Sequence, residues 1–284
     1  FAGAVATYSI EAMMQDKKAL QAGTSHFLGQ NFAKAFEVQF QDRSGGLDYV
    51  WATSWGVSTR LVGAVIMTHS DDKGLVVPPL LAQDELVVIP IFKTDNKADV
   101  LAYAQKVTDA LKADGRRVAF DSDDSASPGW KFAEWEMRGV PIRVEAGPKD
   151  AAAGNVVMVR RDTGEKLVVK AEEAPAKARE LLAAIQKNLL ERARTFREEN
   201  TRPVADIKEV HAFFGKESAG TAGATGGFAE GLWCGGRECE AQLKAELKVT
   251  IRNMPFDRQD GCEGGACCLC GKPSRHRAIF ARSY

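Results

Sequence analysis

The spacing of apolar positions changes period several times along the chain. In KAFEVQF, Phe36, Val38 and Phe40 alternate with other positions, and YVWATSW follows a glycine turn, a pattern that predicts antiparallel strands. From Ser58 the period lengthens. Leu61, Val62, Val65 and Ile66 share one helical face behind Ser58 and Thr59 as caps, which predicts a buried helix with Arg60 in its first turn. Pro78 and Pro79 in VVPPLLAQDE mark the exit from a first domain. Beyond them ELVVIPI predicts a buried strand, and Val100, Leu101, Ala104, Val107 and Leu111 predict a helix ending at Gly115. RRVAF is a second strand. SPGWKFAEWEMRG reads as a short helix with Pro128 near its start and Gly139 past its end, followed by the strands VPIRVE, NVVMVRR and EKLVVK. The order strand, helix, strand, helix, three strands predicts a compact mixed α/β domain. A long helix is expected from about Pro175 to Glu199, with Leu181, Leu182, Ile185, Leu189 and Ala193 on one face. SAGTAGATGG, residues 218–227, reads as a flexible loop, and no internal repeat is visible.

Length and charge narrow the classes. At 284 residues there is room for two or three domains, each able to bury a core. No apolar run approaches the roughly 18 residues of a membrane span, and the expectation is that no signal peptide is present. It opens on Phe1 rather than Met, so the expectation is that it begins inside a larger protein. The 38 basic and 38 acidic residues balance, so no global field attracts nucleic acid, and any RNA site must be a local patch.

Cysteine usage is more telling. All six cysteines, Cys234, Cys239, Cys262, Cys267, Cys268 and Cys270, lie within 37 positions near the end. Such clustering points to a metal rather than a chain-wide disulfide framework. Cys234 and Cys239 form one short pair; Cys270 completes a second with Cys267, at knuckle spacing before Gly271, or with Cys268. Cys267 is preferred, Cys268 is the alternative and Cys262 is a spectator. Four thiolates fill a tetrahedral zinc shell and leave no position for an activated water, so the expected Zn²⁺ is structural. Arg60 raises a different question. A cation in the first turn of a helix is opposed by the backbone dipole unless an anion faces it. That anion is either an Asp or Glu of the chain or a phosphate or carboxylate ligand.

GTSHFLGQNFAKAF, WATSWGVSTRLVGAVIMTHSDDKGLVVPP, SPGWKFAEWEMRGVPIRVEAGPKD with RRDTGEK, the cysteine pairs and the terminal RSY together resemble the carboxy-terminal half of prolyl-tRNA synthetases of the archaeal and eukaryotic type. The resemblance covers the chain in order. It implies an α/β (α+β) fold class. Residues 1–83 would be the end of a class II antiparallel-sheet catalytic core carrying motif 3, residues 84–190 a mixed α/β anticodon-binding domain, and residues 191–284 a small zinc-binding α/β domain. Motifs 1 and 2 are absent, so this chain alone is not expected to be a complete catalyst.

The resemblance also implies site roles. Arg60 matches the motif 3 arginine, which binds the ATP phosphates during attack on the α-phosphate, and Gln21, Thr24 and Ser58 line the ATP site, Gln21 also helping to place Mg²⁺. Thr7, Glu11, His26, Trp55 and Gly56 would form the proline site, Glu11 facing the amino group. Tyr8 replaces a threonine of the family's TTTIEA segment, and Phe27 replaces the second of two histidines common in eukaryotic members. The terminal RSY, after apolar Ile279 and Phe280, would tuck toward the catalytic domain.

Trp130, Lys131, Glu136, Arg138, Arg143 and Lys166 are candidate tRNA readers, in a stretch of seven basic and six acidic side chains over residues 130–166. That near balance favours base-specific contacts over bulk attraction. By resemblance Glu136, Arg143 and Lys166 would read the guanines of proline anticodons. The implied activity is ATP-dependent activation of L-proline to prolyl-adenylate and its transfer to tRNA(Pro), in a cytoplasmic full-length homodimer without a membrane partner. The alternatives are a noncatalytic RNA-binding module built on the synthetase architecture and a zinc-stabilised scaffold.

Overall fold

The structure, a computed structural model, describes residues 1–215 and 226–284, so most of the loop expected over residues 218–227 lies outside the described residues. In chain order the elements are β1 (Ala6–Met13), β2 (Ala19–Gly29), α1 (Asn31–Ala35), β3 (Gln39–Gln41), β4 (Leu47–Tyr49), β5 (Ala52–Gly56) and α2 (Arg60–His69). Next come β6 (Leu86–Pro90), α3 (Lys97–Ala113), β7 (Val118–Phe120), α4 (Pro128–Met137), β8 (Ile142–Ala146), α5 (Pro148–Ala153), β9 (Asn155–Arg160), β10 (Lys166–Lys170) and α6 (Ala174–Glu199). The chain ends with β11 (Thr201–Pro203), α7 (Ile207–Phe214), β12 (Phe228–Trp233), α8 (Arg237–Leu247), β13 (Thr250–Asn253) and β14 (His276–Ala281). These mixed α/β elements form two compact units. One joins Phe1–Ala64 to Phe196–Tyr284, and the other is Val65–Thr195. Residues 65–83 therefore group with the second unit.

The second unit holds a five-stranded sheet in the order β10-β9-β8-β6-β7, with β6 parallel to β7 and β8, and the β8–β9 and β9–β10 pairs antiparallel. All five residues of β6 are buried, as its unbroken apolar run LVVIP requires when both faces are covered. On one face Val88, Val144 and Met158 pack with Leu111 of α3 and Leu181, Ile185 and Leu189 of α6. On the other, Val87 and Ile89 meet Phe132 and Trp135 of α4. The expected start of α4 is visible in its cap: Ser127 Oγ accepts the Trp130 N–H at 3.3 Å, with Pro128 in the first turn. Gly139 ends it at φ +76°, where a Cβ would lie 2.7 Å from that of Leu75. The sequence reading missed α5. Its signals are local: Pro148 opens it, the Asp150 carboxylate accepts the Gly147 N–H at 3.0 Å, and Gly154 closes it at φ +66°.

The first unit contains two larger sheets. The antiparallel β1-β2-β5 sheet carries the amino-terminal part, while β11-β12-β14-β13 packs Phe280, Val210, Phe214 and Leu243 into a separate core. The chain end joins the two. Ala19 N–H donates to the Arg282 carbonyl at 2.8 Å, Ser283 bridges Ala19, and the Tyr284 hydroxyl meets Asp16. Ile279 and Phe280 are buried.

Two expectations need correction here. KAFEVQF is not one strand: Phe32 and Phe36 lie one helical turn apart, the Phe36 N–H donates to the Phe32 carbonyl at 2.9 Å, and only Gln39–Gln41 is extended. The apolar face of α2 is largely open. Val62 is 65% exposed, and Ala64 is the helix's one buried residue.

Candidate functional site

Strands β2 and β5 and the start of α2 enclose a cleft of about 330 Å³, whose walls include Gln21, Thr24, His26, Trp55, Gly56, Ser58 and Arg60. Seven residues singled out from sequence thus meet in one place. Register explains the meeting, because Thr24 faces Gly56 and Ser25 faces Trp55 across the β2–β5 pair. A one-residue bulge shapes the floor: Ile10 faces Gly23 and Glu11 faces Gln21, leaving Ala22 as the extra residue. Arg60 is exposed. Its Nη1 donates to the Gln21 carbonyl at 3.3 Å, and among the described residues no carboxylate pairs with it. Its backbone N–H donates to Ser58 Oγ at 3.3 Å, which places the Ser58 side chain at the helix entrance. Trp55, 77% exposed, forms an apolar wall rather than a core residue.

Of the remaining predicted residues, Thr7 reaches the cleft through His26, its Oγ1 lying 3.0 Å from Nδ1. Glu11 does not line the cleft. Its side chain is 1% exposed and is held by Arg252 of β13, whose Nε and Nη2 each lie 3.0 Å from Oε2. Nothing in the local sequence announces Arg252, which is 241 positions away.

In the second unit, Glu136 and Arg143 are brought together while Lys166 stands apart. Arg143 Nη1 donates to Glu136 Oε1 and Nε to Glu145 Oε1, both at 3.0 Å, and the guanidinium lies 4.2 Å from the Phe132 ring centre. Arg143 and Lys166 each face Val159, one from either side, so they share a row two strands apart, about 10 Å. Lys166 is exposed on the edge strand. Lys131 is no reader in this structure: it is 3% exposed, with Nζ 2.8 Å from Asp121 Oδ1, and Trp135 donates to the same carboxylate. Arg138 pairs with Glu134, and Trp130 is 59% exposed. Beneath them Arg161, which donates to the Glu136 carbonyl at 3.0 Å, grips Asp71 with both terminal nitrogens at 2.8 and 2.6 Å. These bonds from Arg161 hold the Asp71 carboxyl down at about 2.

The third constellation lies at the end of β12. The sulfurs of Cys234, Cys239, Cys267 and Cys270 all lie within 4.8 Å of one another, with Cys234 Sγ 3.6 Å from Cys239 Sγ and 3.7 Å from Cys270 Sγ. Thiolates placed tetrahedrally about 2.3 Å from zinc would be about 3.8 Å apart. The donor set and spacing fit structural zinc. A tight turn supplies the second pair, Gly271 N–H donating to the Cys267 carbonyl at 2.8 Å. Burial pushes the Cys239 and Cys267 thiols up. Burial opposes ionisation of Cys270 too, yet the Lys272 N–H and the surrounding thiols draw it down to about 7. A cation held by these four sulfurs would displace their thiol protons. Cys268 turns away. Its N–H donates to the Leu232 carbonyl at 2.9 Å, and burial in the core pushes its thiol up to about 12. Cys262 is buried apart from the cluster.

Comparison with known proteins follows the same division. Residues 85–181 match the family described as "Anticodon binding domain", and residues 217–284 match "Prolyl-tRNA synthetase, C-terminal". Over its whole length the chain is 50% identical to the proline–tRNA ligase of Chloroherpeton thalassium, 50% identical to that of Cytophaga hutchinsonii and 49% identical to that of Symbiobacterium thermophilum. It spans 58%, 56% and 57% of the length of these curated relatives. No helix among the described residues is long and apolar enough to cross a membrane.

Proposed function

From the premise that this chain corresponds to the carboxy-terminal portion of prolyl-tRNA synthetases, we propose that the full-length protein activates L-proline with ATP and transfers it to tRNA(Pro). The observation that carries this reading is the cleft of the first unit, in which Arg60 stands beside Gln21, Thr24 and His26 with no carboxylate partner among the described residues. An unpaired guanidinium at a polar cleft is suited to phosphate oxygens. In this role Arg60 binds the nucleotide phosphates and counters the charge that grows on them as the proline carboxylate attacks the α-phosphate and pyrophosphate leaves. Gln21, Thr24 and Ser58 orient the nucleotide, Gln21 also helping to place Mg²⁺. His26, steadied by Thr7, and the wall of Trp55 and Gly56 hold the pyrrolidine ring, for which a small apolar face suffices.

Base reading falls to the second unit. Guanine presents O6 and N7 to a cation, and its imino and amino N–H groups to a carboxylate. Arg143 and Glu136 already satisfy one another, so on binding a guanine edge exchanges for that internal contact, and Lys166 joins from the sheet edge. Zinc on the four thiolates holds the carboxy-terminal fold and takes no part in the reaction. The full-length protein would act in the cytoplasm as a homodimer.

Amino-acid-dependent exchange of pyrophosphate into ATP by the full-length protein tests the reading. Exchange stimulated by proline above other amino acids is expected, and its absence with saturating proline and ATP would refute the catalytic role.

A further inference from the structure

The last turn of α4 is held from outside the helix. Arg161 Nε donates to the Glu136 carbonyl and the Leu75 N–H to the Met137 carbonyl, both at 3.0 Å. These are carbonyls of the kind that a helix end leaves open. Arg161, whose side chain is 5% exposed, spends its other two nitrogens on the Asp71 carboxylate, and Nη2 also donates to the Gly74 carbonyl at 3.2 Å. Gly74, at φ +128°, comes so close that a Cβ there would lie 2.4 Å from the Met137 Cα. Residues 71–75 are thereby strapped across the end of α4. All of these residues belong to the unit of Val65–Thr195.

The side chain at this pinned position stays open. Glu136 is 31% exposed at its side chain, its Oε1 accepts from Arg143 Nη1, and its Oε2 has no partner among the described residues. A buried ion pair is a weak source of net stability. What the Arg161 guanidinium adds is direction, because its planar donors hold the Glu136 carbonyl, the Asp71 carboxylate and the Gly74 carbonyl in a fixed relation. Direction matters for a carboxylate that reads a base edge, since such a group must be held within about 0.5 Å of its working place.

We propose that Arg161 is a positioning residue for anticodon reading, fixing the end of α4 so that the Glu136 carboxylate meets the imino and amino N–H groups of a guanine. The inference rests on the reading of Glu136 as a guanine contact. Arg161 never touches the RNA. It acts through the backbone of the residue that does, and Asp71 keeps its guanidinium in place.

The test is aminoacylation, by the full-length protein, of tRNA(Pro) carrying guanine or, at each anticodon guanine in turn, inosine, which lacks the amino group. With the unchanged protein, inosine at one of these positions is expected to lower kcat/KM about tenfold or more, the scale of one lost charge-assisted hydrogen bond. Arg161→Lys keeps the charge but not the fork. It should lower kcat/KM for the guanine tRNA about tenfold and shrink the inosine penalty to about threefold or less, with proline-dependent pyrophosphate exchange within about twofold of the unchanged protein. An inosine penalty that stays whole while kcat/KM falls, an equal loss of pyrophosphate exchange, or no change at all would overturn the proposal. Should Arg161→Lys fail to fold, Asp71→Asn keeps Arg161 and only weakens its grip. A smaller reduction of the inosine penalty then supports the proposal, and an undiminished penalty overturns it. Failure of the underlying assignment looks different: inosine costs the unchanged protein nothing, or Glu136→Gln leaves the penalty whole, and the proposal falls with it.

Discussion

The two compact units handle their charged groups in opposite ways. In the unit of Val65–Thr195 the interesting cations are already answered: Arg143 by Glu136 and Glu145, Arg161 by Asp71, and Lys131 by Asp121. Both faces of its five-stranded sheet are covered, and one apolar cluster joins α3 and α6 to the same face. Among the described residues, the other unit leaves Arg60 without a carboxylate and Glu11 Oε1 without a donor, and it exposes Trp55 and Ile10 on its three-stranded sheet. Its carboxy-terminal core is small and borders a cluster of four thiols. A region whose groups satisfy one another folds on its own account, and one that leaves groups unsatisfied is shaped for what it binds. In the unit of Val65–Thr195, Glu136 and Arg143 can meet a ligand only by giving up their contact with one another.

The largest effect should come from removing metal. Zinc bound by four thiolates supplies folding free energy of several kcal/mol or more, and the small core beside it cannot replace that. Treatment of the chain with a strong chelator should expose the amides of β12, α8 and β14 to hydrogen exchange while leaving those of β6 and β8 protected. Equal deprotection of both units, or none in either, would break the contrast, as would purified protein that contains no zinc. A Cys234→Ser variant should behave like the chelated chain, whereas Cys262→Ser should keep its metal.

Next in size is Arg60. In the full-length protein Arg60→Ala should slow proline-dependent pyrophosphate exchange about 100-fold or more, the scale of losing one preorganised group that faces transition-state charge. Because Arg60 is exposed and, among the described residues, makes one side-chain hydrogen bond, to the Gln21 carbonyl, thermal unfolding should move little. Unchanged exchange at saturating substrates would remove Arg60 from the chemistry.

What could be read from sequence was whatever is local. α4 and α6 follow from caps, periodicity and Pro and Gly punctuation, and their observed bounds, Pro128–Met137 and Ala174–Glu199, lie within a residue or two of those expected. KAFEVQF misled because alternation over a few residues does not exclude a helical turn, which the pair Phe32 and Phe36 was enough to close. Knuckle spacing to Cys270 favours Cys267 but leaves Cys268 open. What decides between them is the pairing of Cys268 with Leu232, a contact between distant segments. Likewise nothing near Lys131 shows that Asp121 takes its charge, and nothing near Glu11 points to Arg252. Partners across a fold are set by topology, and topology is the part of the message that short windows do not carry.

A smaller loss should follow from Glu136→Gln. If a guanine exchanges for the Glu136–Arg143 contact, the amide keeps the shape but weakens acceptance of the imino and amino protons, at about 1–3 kcal/mol in tRNA affinity. Adenylate formation should be untouched, since the residue lies in the anticodon-type unit. Glutamine is the better probe than Arg143→Ala, which would leave Glu145, itself buried, without its partner. Aminoacylation and pyrophosphate exchange falling together would show that Glu136 is structural.

The smallest effect tests the claim that the second unit satisfies its own charges. Asp71 is held at about 2 by Arg161, below its ordinary value near 3.8. A carboxyl depressed in the folded state contributes stability that is fully present above its unfolded pKa and is lost as the pH falls from about 4 to about 2. Asp71 is half exposed, so solvent screening limits the contribution to about 1 kcal/mol or less. Asp71→Asn should therefore lower stability slightly at neutral pH and flatten the decline between about pH 4 and pH 2 relative to the unchanged chain. Denaturant unfolding followed through the second unit at a series of pH values would read the difference. If both proteins lose stability in parallel through that window, the Asp71–Arg161 pair contributes nothing. The self-sufficiency of this unit would then rest on its apolar core alone.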